Sequence, residues 1–384
     1  MAVSTAAPPV SVSVVIPCLD EAETIAECVT AARAVLEESG LAGEVIVVDN
    51  GSTDGSGDLA RVAGAVVVDE PRPGYGSAYQ AGLAAARGDY IVMVDADLTY
   101  DFREIPRFVE ELENGAQLVV GNRMGGIQPG AMPWLSRLGN PILSGFLNAL
   151  HQTNIRDAHC GMRALRRDVL PVLNMRTVGM EFASEMVIRA TRERLDVREI
   201  PIELHPRVGA SKLSPFRDGW RHLRLILVYN PTFLFLIPGA VMLIVGSLIS
   251  LLVFAQLSIV GRSLYLHSLI LGCLLIILGM QAIGFGLCAR AYGVYFITDQ
   301  DEVFQRLRAR FRLEHGLVLA AIFGVAGIAL FGVVGAKWAS SGFGTLGETR
   351  LALVAATSIV VSAQIFFTSF FLSILGLRRR NVDD

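Results

Sequence analysis

The chain has 384 residues, of which 52% are hydrophobic and 18% charged, with a formal net charge of −3 and a mean hydropathy of +0.50. Residues 231–384 hold 11 Lys/Arg and 7 Asp/Glu, against 22 and 29 in the first 230. Such a chain is neither disordered nor fibrous nor a simple soluble enzyme, and its near-neutral charge gives no reason to expect a nucleic-acid partner. The five cysteines form no C-x-x-C pair and have no histidines at zinc spacing, so they read as neither a disulfide framework nor a metal site. Lys212 and Lys337 are the only lysines.

Residues 1–10 have no charged start and no apolar core, so no secretory signal is read there. Short β-branched runs follow at Ser11–Ile16, Glu44–Val48, Ala65–Val68, Tyr90–Val94 and Gln117–Val120. Helix-like segments at Ala22–Glu38, Ser56–Ala63, Ser77–Arg87 and Glu104–Asn114 alternate with them. That alternation predicts βαβ units and a mainly parallel sheet, in which ligands bind beyond the carboxyl ends of the strands. Those ends carry Pro17, Asp20 and Glu21, then Asp49, then Asp95 and Asp97, then Arg123. One edge of one sheet is loaded with charge.

Several motifs fail on inspection. Gly74-Tyr75-Gly76 opens like a dinucleotide loop, but Tyr79 stands where the third glycine is needed. No P-loop, H-E-x-x-H or G-x-S-x-G occurs, which removes simple ATPase, zinc-protease and esterase readings. Asp95-Ala96-Asp97 is the sharpest element. Two carboxylates at a strand end can face one cleft and hold a hard divalent ion, completed by substrate phosphates and water. Mg²⁺ or Mn²⁺ there would neutralise a departing diphosphate.

Pro215–Tyr229 spaces Phe216, Trp220, Leu223 and Leu227 helically, with Arg217, Arg221 and Arg224 among them. The pattern predicts a helix lying in the membrane interface, its arginines toward lipid phosphates. Four apolar stretches follow, at about 232–256, 267–289, 316–336 and 351–377. Each is long enough to span a hydrocarbon core, which takes about 20 helical residues. Arg306, Arg308, Arg310 and Arg312 lie between the second and third spans, and Arg378, Arg379 and Arg380 follow the fourth. The other connections hold only Arg262, Lys337 and Arg350. By the positive-inside rule both termini and the N-terminal domain are expected on the cytoplasmic side. Gln281 and Gln364 read as helix-to-helix hydrogen bonding rather than a transport path. The expected organisation is a catalytic domain at 1–214, an interfacial helix at 215–230 and a four-helix membrane domain at 231–384, with a basic cytoplasmic segment at 301–314.

The segments IPCLDEAETI, VVDNGSTDGS, PGYGSAYQAG, VMVDADLTYD and VGNRM run in that order through residues 16–124. They resemble a family 2 glycosyltransferase domain of the GT-A fold. IRDAHCGMRALRRDVL, GMEFASEMVIRA and the stretch from Ile200 to Leu227 are similar to polyprenyl-phosphate sugar synthases of the dolichyl-phosphate-mannose synthase type, in the bacterial branch with four C-terminal spans.

The resemblance implies inverting transfer of one hexose from a nucleotide-sugar donor, UDP-glucose first, to a polyprenyl monophosphate at the cytoplasmic face. GDP-mannose is the alternative donor. A processive polysaccharide synthase is a weaker alternative, because the Q-x-x-R-W motif is missing; a non-catalytic lipid-sugar flippase is another. Carried onto this chain, Pro17, Asp20, Glu21 and Asp49 would line the nucleotide pocket, though Asp49 could equally cap Ser52 or Thr53. Asp95 and Asp97 would take the metal and diphosphate, with Thr99 where the family often has glutamine. Arg123 and Arg137 would hold the acceptor phosphate, Asp157 would face the sugar, and Arg207 and Lys212 would close over the diphosphate. Glu181 and Glu185 could contact sugar hydroxyls or simply cap and pair. His159-Cys160 reads as a packed turn. The resemblance also implies contact with membrane lipids and the capacity to assemble as a homotetramer.

Overall fold

The computed structural model describes residues 11–209, 214–256, 258–259, 262–263, 265–296, 313–344 and 347–377. Lys212, the arginines at 306–312 and those at 378–380 lie outside the described residues. The chain divides into two compact units, Met1–Ile226 and Leu227–Asp384.

In the first unit the β-branched runs become strands, four of them covered on both faces and the edge run Val66–Asp69 partly exposed. Strands β1 (Val12–Cys18), β2 (Gly43–Asp49), β3 (Val66–Asp69) and β4 (Tyr90–Met93) alternate with helices α1 (Ile25–Glu38), α2 (Ser56–Val62) and α3 (Tyr75–Ala85). Helix α4 (Ile105–Glu113) leads to β5 (Leu118–Asn122), and α5 (Trp134–His151) to β6 (Arg163–Arg166). A short α6 (Leu170–Leu173) and then α7 (Phe182–Arg192) precede β7 (Val197–Pro201), and α8 (Pro215–Val228) follows. The sheet order is β3-β2-β1-β4-β6-β5-β7. Only β6 runs antiparallel, pairing β4 on one side and β5 on the other. Val14, Val15, Val47, Val92, Leu118 and Val119 are fully buried at its centre.

Helix α3 packs on β1 and β2 through Gly82. A Cβ there would stand 2.4 Å from a Val15 methyl and 2.8 Å from a Val48 methyl. That contact seats the N-terminus of α3, and with it Tyr75 and Tyr79, against the carboxyl ends of the strands.

The second unit is helical: α9 (Ile237–Phe254), α10 (Leu266–Phe296), α11 (Leu313–Ser340) and α12 (Thr349–Leu377). Stretches Thr232–Phe254, Leu266–Tyr295, Leu313–Ser340 and Thr349–Gly376 are long and apolar enough to cross a membrane. The middle two are longer than the apolar pattern predicts, reaching Leu266–Tyr295 and Leu313–Ser340. Gly239, Gly246, Gly272 and Gly279 bring α9 and α10 into backbone contact, since a Cβ on any of them would meet a facing main-chain or serine atom at 2.5–2.9 Å. Gln364 donates to Gln281 at 3.0 Å, so the two intramembrane glutamines pair with each other.

Gly82→Val is expected to destabilise the first unit by about 1–3 kcal/mol through overpacking against β1 and β2. Thermal melts of the purified protein read this as a lower transition for that unit; an unchanged melting temperature contradicts the packing.

Candidate active site

The charged strand ends converge at one edge of the sheet, and each is fixed by a local hydrogen bond. Asp20 adopts a left-handed backbone conformation, φ 46°. Its Oδ1 accepts from the Thr53 amide at 2.7 Å, while its own amide donates to Ser52 Oγ at 3.0 Å. The Glu21 amide donates to Ser56 Oγ at 2.8 Å. Asp49 Oδ1 accepts from the Ser52 amide at 2.8 Å, and its other oxygen faces Gly57. The loops after β1 and β2 therefore lock to each other.

Asp95 follows β4 and enters the protein. Its Oδ1 accepts from Tyr75 at 3.0 Å and from Tyr79 at 3.3 Å, two hydroxyls one helical turn apart on α3. Its other oxygen lies against Gly161, where a Cβ would stand 2.2 Å away. Only glycine lets the backbone pass there. Burial, then the neighbouring Asp97 charge, push the Asp95 carboxyl up to about 6 despite the two donors. Burial also raises both phenols, which therefore stay protonated.

Asp97 turns the other way. Oδ1 accepts from Thr99 Oγ1 at 2.5 Å and from the Thr99 amide at 3.1 Å, so Thr99 orients the carboxylate. Oδ2 pairs with Arg207 Nη1 at 3.2 Å, and Arg207 Nη2 reaches Glu21 Oε1 at 2.8 Å. Two backbone bonds hold that loop in place, from His205 to the Thr99 carbonyl and from Val208 to the Asp97 carbonyl. Arg207 Nε is buried without a hydrogen-bond partner. Among the described residues no cluster of three or more His, Cys, Asp or Glu is arranged to hold a metal.

Arg123 and Asp157, both expected to face substrate, meet each other. Arg123 Nε donates to Asp157 Oδ2 at 2.6 Å, Nη2 to Oδ1 at 2.8 Å, and the Arg123 amide to Oδ2 at 3.1 Å. Asp157 is fully buried. Glu199 on β7 accepts from the Arg156 and Asp157 amides at 2.9 and 2.8 Å, and burial raises its pKa. Arg163 is also buried, its guanidinium donating to the carbonyls of Ala158, Cys160 and Ala183. It fixes the 157–161 turn.

Glu185 takes the pairing alternative. It accepts from the Arg176 and Thr177 amides and the Thr177 hydroxyl, and pairs with Arg189 at 2.9 Å. Glu181, one turn earlier, has a buried Oε2 with no hydrogen-bond partner. Arg137 is exposed on α5. It lines a groove of about 450 Å³ with Met124, Ile127, Ser144, Asn148 and Arg156. Pro17 lies at the end of β1, and Lys212 is outside the described residues.

Two glycosyltransferase family models match the chain. Glycosyl transferase family 2 covers residues 13–173, and the family 2 C-terminal transmembrane region covers 287–376. The low-salt glycan biosynthesis hexosyltransferase Agl6 of Haloferax volcanii is 38% identical over 369 residues, spanning 95% of this chain and 89% of that one. The chain belongs to glycosyltransferase family 2. It is a membrane protein and an enzyme, with a GT-A catalytic fold. A dolichyl-phosphate hexose transferase of the same organism is 34% identical over 178 residues, covering 46% of this chain and 76% of that one. Among solved structures, glucosyl-3-phosphoglycerate synthase from Mycobacterium tuberculosis, in complex with Mn²⁺, UDP-glucose and phosphoglyceric acid, is 27% identical. That likeness covers 57% of this chain and 79% of that one, with a TM-score of 0.48.

Sequence reasoning missed the face of α5. Trp134, Leu138, Ile142 and Phe146 recur every fourth residue and are 76, 58, 56 and 42% exposed. The spacing was there to be read, but Gly139 and Pro141 interrupt the helical pattern. Tyr75 and Tyr79 were visible only as part of a motif, with no sign that they hold Asp95.

In chelator, protonated Asp95 stabilises the folded state. A carboxyl with a folded pKa near 6, above the ordinary 3.8, contributes stability that is complete below pH 3.8 and lost as pH rises through 6. Asp95→Asn removes this dependence. The melting temperature of the native protein minus that of the variant should fall between pH 4 and 7, and a flat difference contradicts the assignment.

Proposed function

We propose that the protein transfers one hexose, with inversion, from a nucleoside diphosphate sugar to a polyprenyl monophosphate at the cytoplasmic membrane surface. UDP-glucose is the first donor and GDP-mannose the alternative. The carrying observation is the pairing of a basic groove with an apolar helix face on α5. Arg137, Pro141, Ser144 and Asn148 line the groove, while the adjoining face exposes Trp134, Leu138, Ile142 and Phe146. An anionic head on an apolar tail matches that juxtaposition. The names of the hexosyltransferase and dolichyl-phosphate hexose transferase relatives support the same class.

The chemistry asks little of a base. An oxygen of the acceptor phosphate is already ionised at neutral pH, so it attacks the anomeric carbon with no proton to remove. The carbon–oxygen bond to the diphosphate breaks and the nucleoside diphosphate departs from the opposite face. Catalysis then rests on holding two anions beside one electrophilic carbon. Pro17, Asp20, Glu21 and Asp49 serve the nucleotide, and Arg123 and Arg137 the acceptor phosphate. Arg207, with Lys212, serves the diphosphate. Glu181, with its unpartnered oxygen, can accept from a sugar hydroxyl. Asp157 acts through Arg123, which it holds by two parallel bonds.

The residues fit a divalent ion completed by substrate. Asp97 Oδ2 faces the Arg207 guanidinium, a cation at the place where a metal would sit, and an ion held there would complete its shell with water and substrate phosphates. Mg²⁺ or Mn²⁺ on Asp95 and Asp97 would neutralise charge on the leaving diphosphate.

The test is a donor panel in lipid with polyprenyl phosphate, counting label in the organic phase from UDP-glucose, GDP-mannose and UDP-N-acetylhexosamines. Label from one donor, abolished by chelation, is expected; label from none overturns the reading. Asp97→Asn should lower transfer by roughly 10²–10³-fold, the scale of one lost electrostatic stabiliser. Ile142→Glu should raise KM for the lipid acceptor roughly tenfold, equivalent to 1.4 kcal/mol, with donor KM unchanged. Equal changes in both KM values contradict the acceptor role of α5.

A further inference from the structure

His159 follows Asp157 by two residues and joins a hydrogen-bonded chain, buried at its serines and at His222 and half-buried at His159, that crosses four elements. Ser144 Oγ on α5 accepts from the Ala158 amide at 3.2 Å and stands 3.5 Å from His159 Nδ1. His159 Nε2 is 3.3 Å from Ser184 Oγ on α7. The same hydroxyl is 2.8 Å from Nδ1 of His222 on α8. The two imidazoles meet edge to face, ring centres 4.4 Å apart. Ser144 and Ser184 are almost wholly buried, and His222 is 7% exposed.

Ser184 has one proton. It donates to one ring and accepts from the other, so the tautomer of each histidine is tied to that of its neighbour. Charged groups face the pair from three elements: Arg123 at the end of β5, Arg163 on β6 and Asp218 on α8. Burial, followed by neighbouring positive charge, drives His159 well below the ordinary imidazole range. Burial also carries His222 down to about 4, although Asp218 opposes this. Both rings are neutral at physiological pH, so the chain is made of hydrogen bonds and not of ions.

On α8, Asp218, His222 and Ile226 recur every fourth residue and are buried, while Phe216 and Trp220 are 82 and 60% exposed on the other side. A second tie joins the end of α5, where His151 Nε2 lies 3.1 Å from the Ile226 carbonyl. The inner face of α8 thus reaches the Asp157 turn through the Ser184 hydroxyl and the direct contact of the two imidazoles.

We propose that His159, Ser184 and His222 form a staple through which the seating of helix α8 sets the position of the Asp157–Arg123 pair, making the two histidines positioning residues for the acceptor phosphate. The role in acceptor binding rests on the function proposed above; the mechanical link does not. Neither histidine touches the reacting atoms. Their effect passes along the backbone from His159 to Asp157 and from there to Arg123.

The experiment uses the full-length protein in lipid nanodiscs at pH 7.5, with two readouts. The first is KM for polyprenyl phosphate and for the nucleotide sugar. His159→Leu, His222→Leu and Ser184→Ala should each raise acceptor KM by roughly 5- to 20-fold, the range of one or two lost hydrogen bonds. Donor KM should stay within about twofold, and the double leucine variant should be little worse than either single one, because all three break the same link. His222→Asn and His159→Gln, which return a polar group at the Nδ1 and Nε2 positions, should restore acceptor KM. The second readout is hydrogen exchange without substrates. His159→Leu should speed exchange in residues 215–226, and His222→Leu should speed it in 156–161. Ser184→Ala removes one hydroxyl and keeps both measurements decisive if a leucine variant does not fold. Unchanged acceptor KM, equal changes in both KM values, multiplying effects, or exchange changes confined to the mutated element overturn the staple. If wild-type protein labels no polyprenyl phosphate, the proposed function has failed, and exchange alone then decides the link.

Discussion

Arg123 and Asp157 form the contact on which the candidate site's architecture depends. The pair joins the carboxyl end of β5 to the turn that begins β6, and Glu199 draws β7 into the same knot. Two oxygens and three nitrogen donors make it a bidentate bond with a backbone supplement, the geometry in which arginine outperforms lysine. With Asp157 fully buried, loss of either partner would leave an uncompensated charge, a defect that typically costs 3–5 kcal/mol. Tyr100 extends the knot: its hydroxyl lies 3.4 Å from Arg123 Nη1 and accepts from the Gly161 amide at 2.8 Å. Since Gly161 is the residue against Asp95, the ion pair and the acidic strand end share one support.

The two aspartates of the D-x-D element illustrate how position divides chemically identical groups. Asp95 points inward to two phenols and holds a proton more readily than usual; Asp97 turns away from them and meets a guanidinium. One residue between them is enough, because alternate residues leaving a strand end need not share an environment once pairing stops. Charge repulsion between the two is part of what raises Asp95.

Much of this was legible in the sequence, and the rest was hidden for physical reasons. Strands β1, β2, β4 and β5 announce themselves because their apolar runs are buried on both faces, and the edge strand β3 shows as a short valine run. β6 does not: Arg163-Ala164-Leu165-Arg166 reads as polar, and only a long-range satisfaction of Arg163 by three carbonyls lets it lie inside. Arg123 and Asp157 were both picked out, yet their mutual bond spans 34 positions and has no local signal. Glu181 and Glu185 look alike in sequence; Glu185 turns to the Thr177 loop and Arg189, and Glu181 keeps an oxygen free of hydrogen bonds. The four apolar spans, by contrast, were readable from hydropathy alone because a lipid environment demands uninterrupted helix.

The antiparallel strand β6 has one more effect. Residues 12–93 build one contiguous half of the sheet, β3-β2-β1-β4, and residues 118–201 build the other. The halves share a ladder only along β4 and β6, over four residue pairs from Tyr90–Arg166 to Met93–Arg163. Asp95 and Gly161 stand just past the open end of that seam. Gly161 packed against Asp95 and the Tyr100 hydroxyl between Gly161 and Arg123 carry the register of that short ladder across to the Arg123–Asp157 pair, so four residue pairs set where the acidic strand ends stand relative to it.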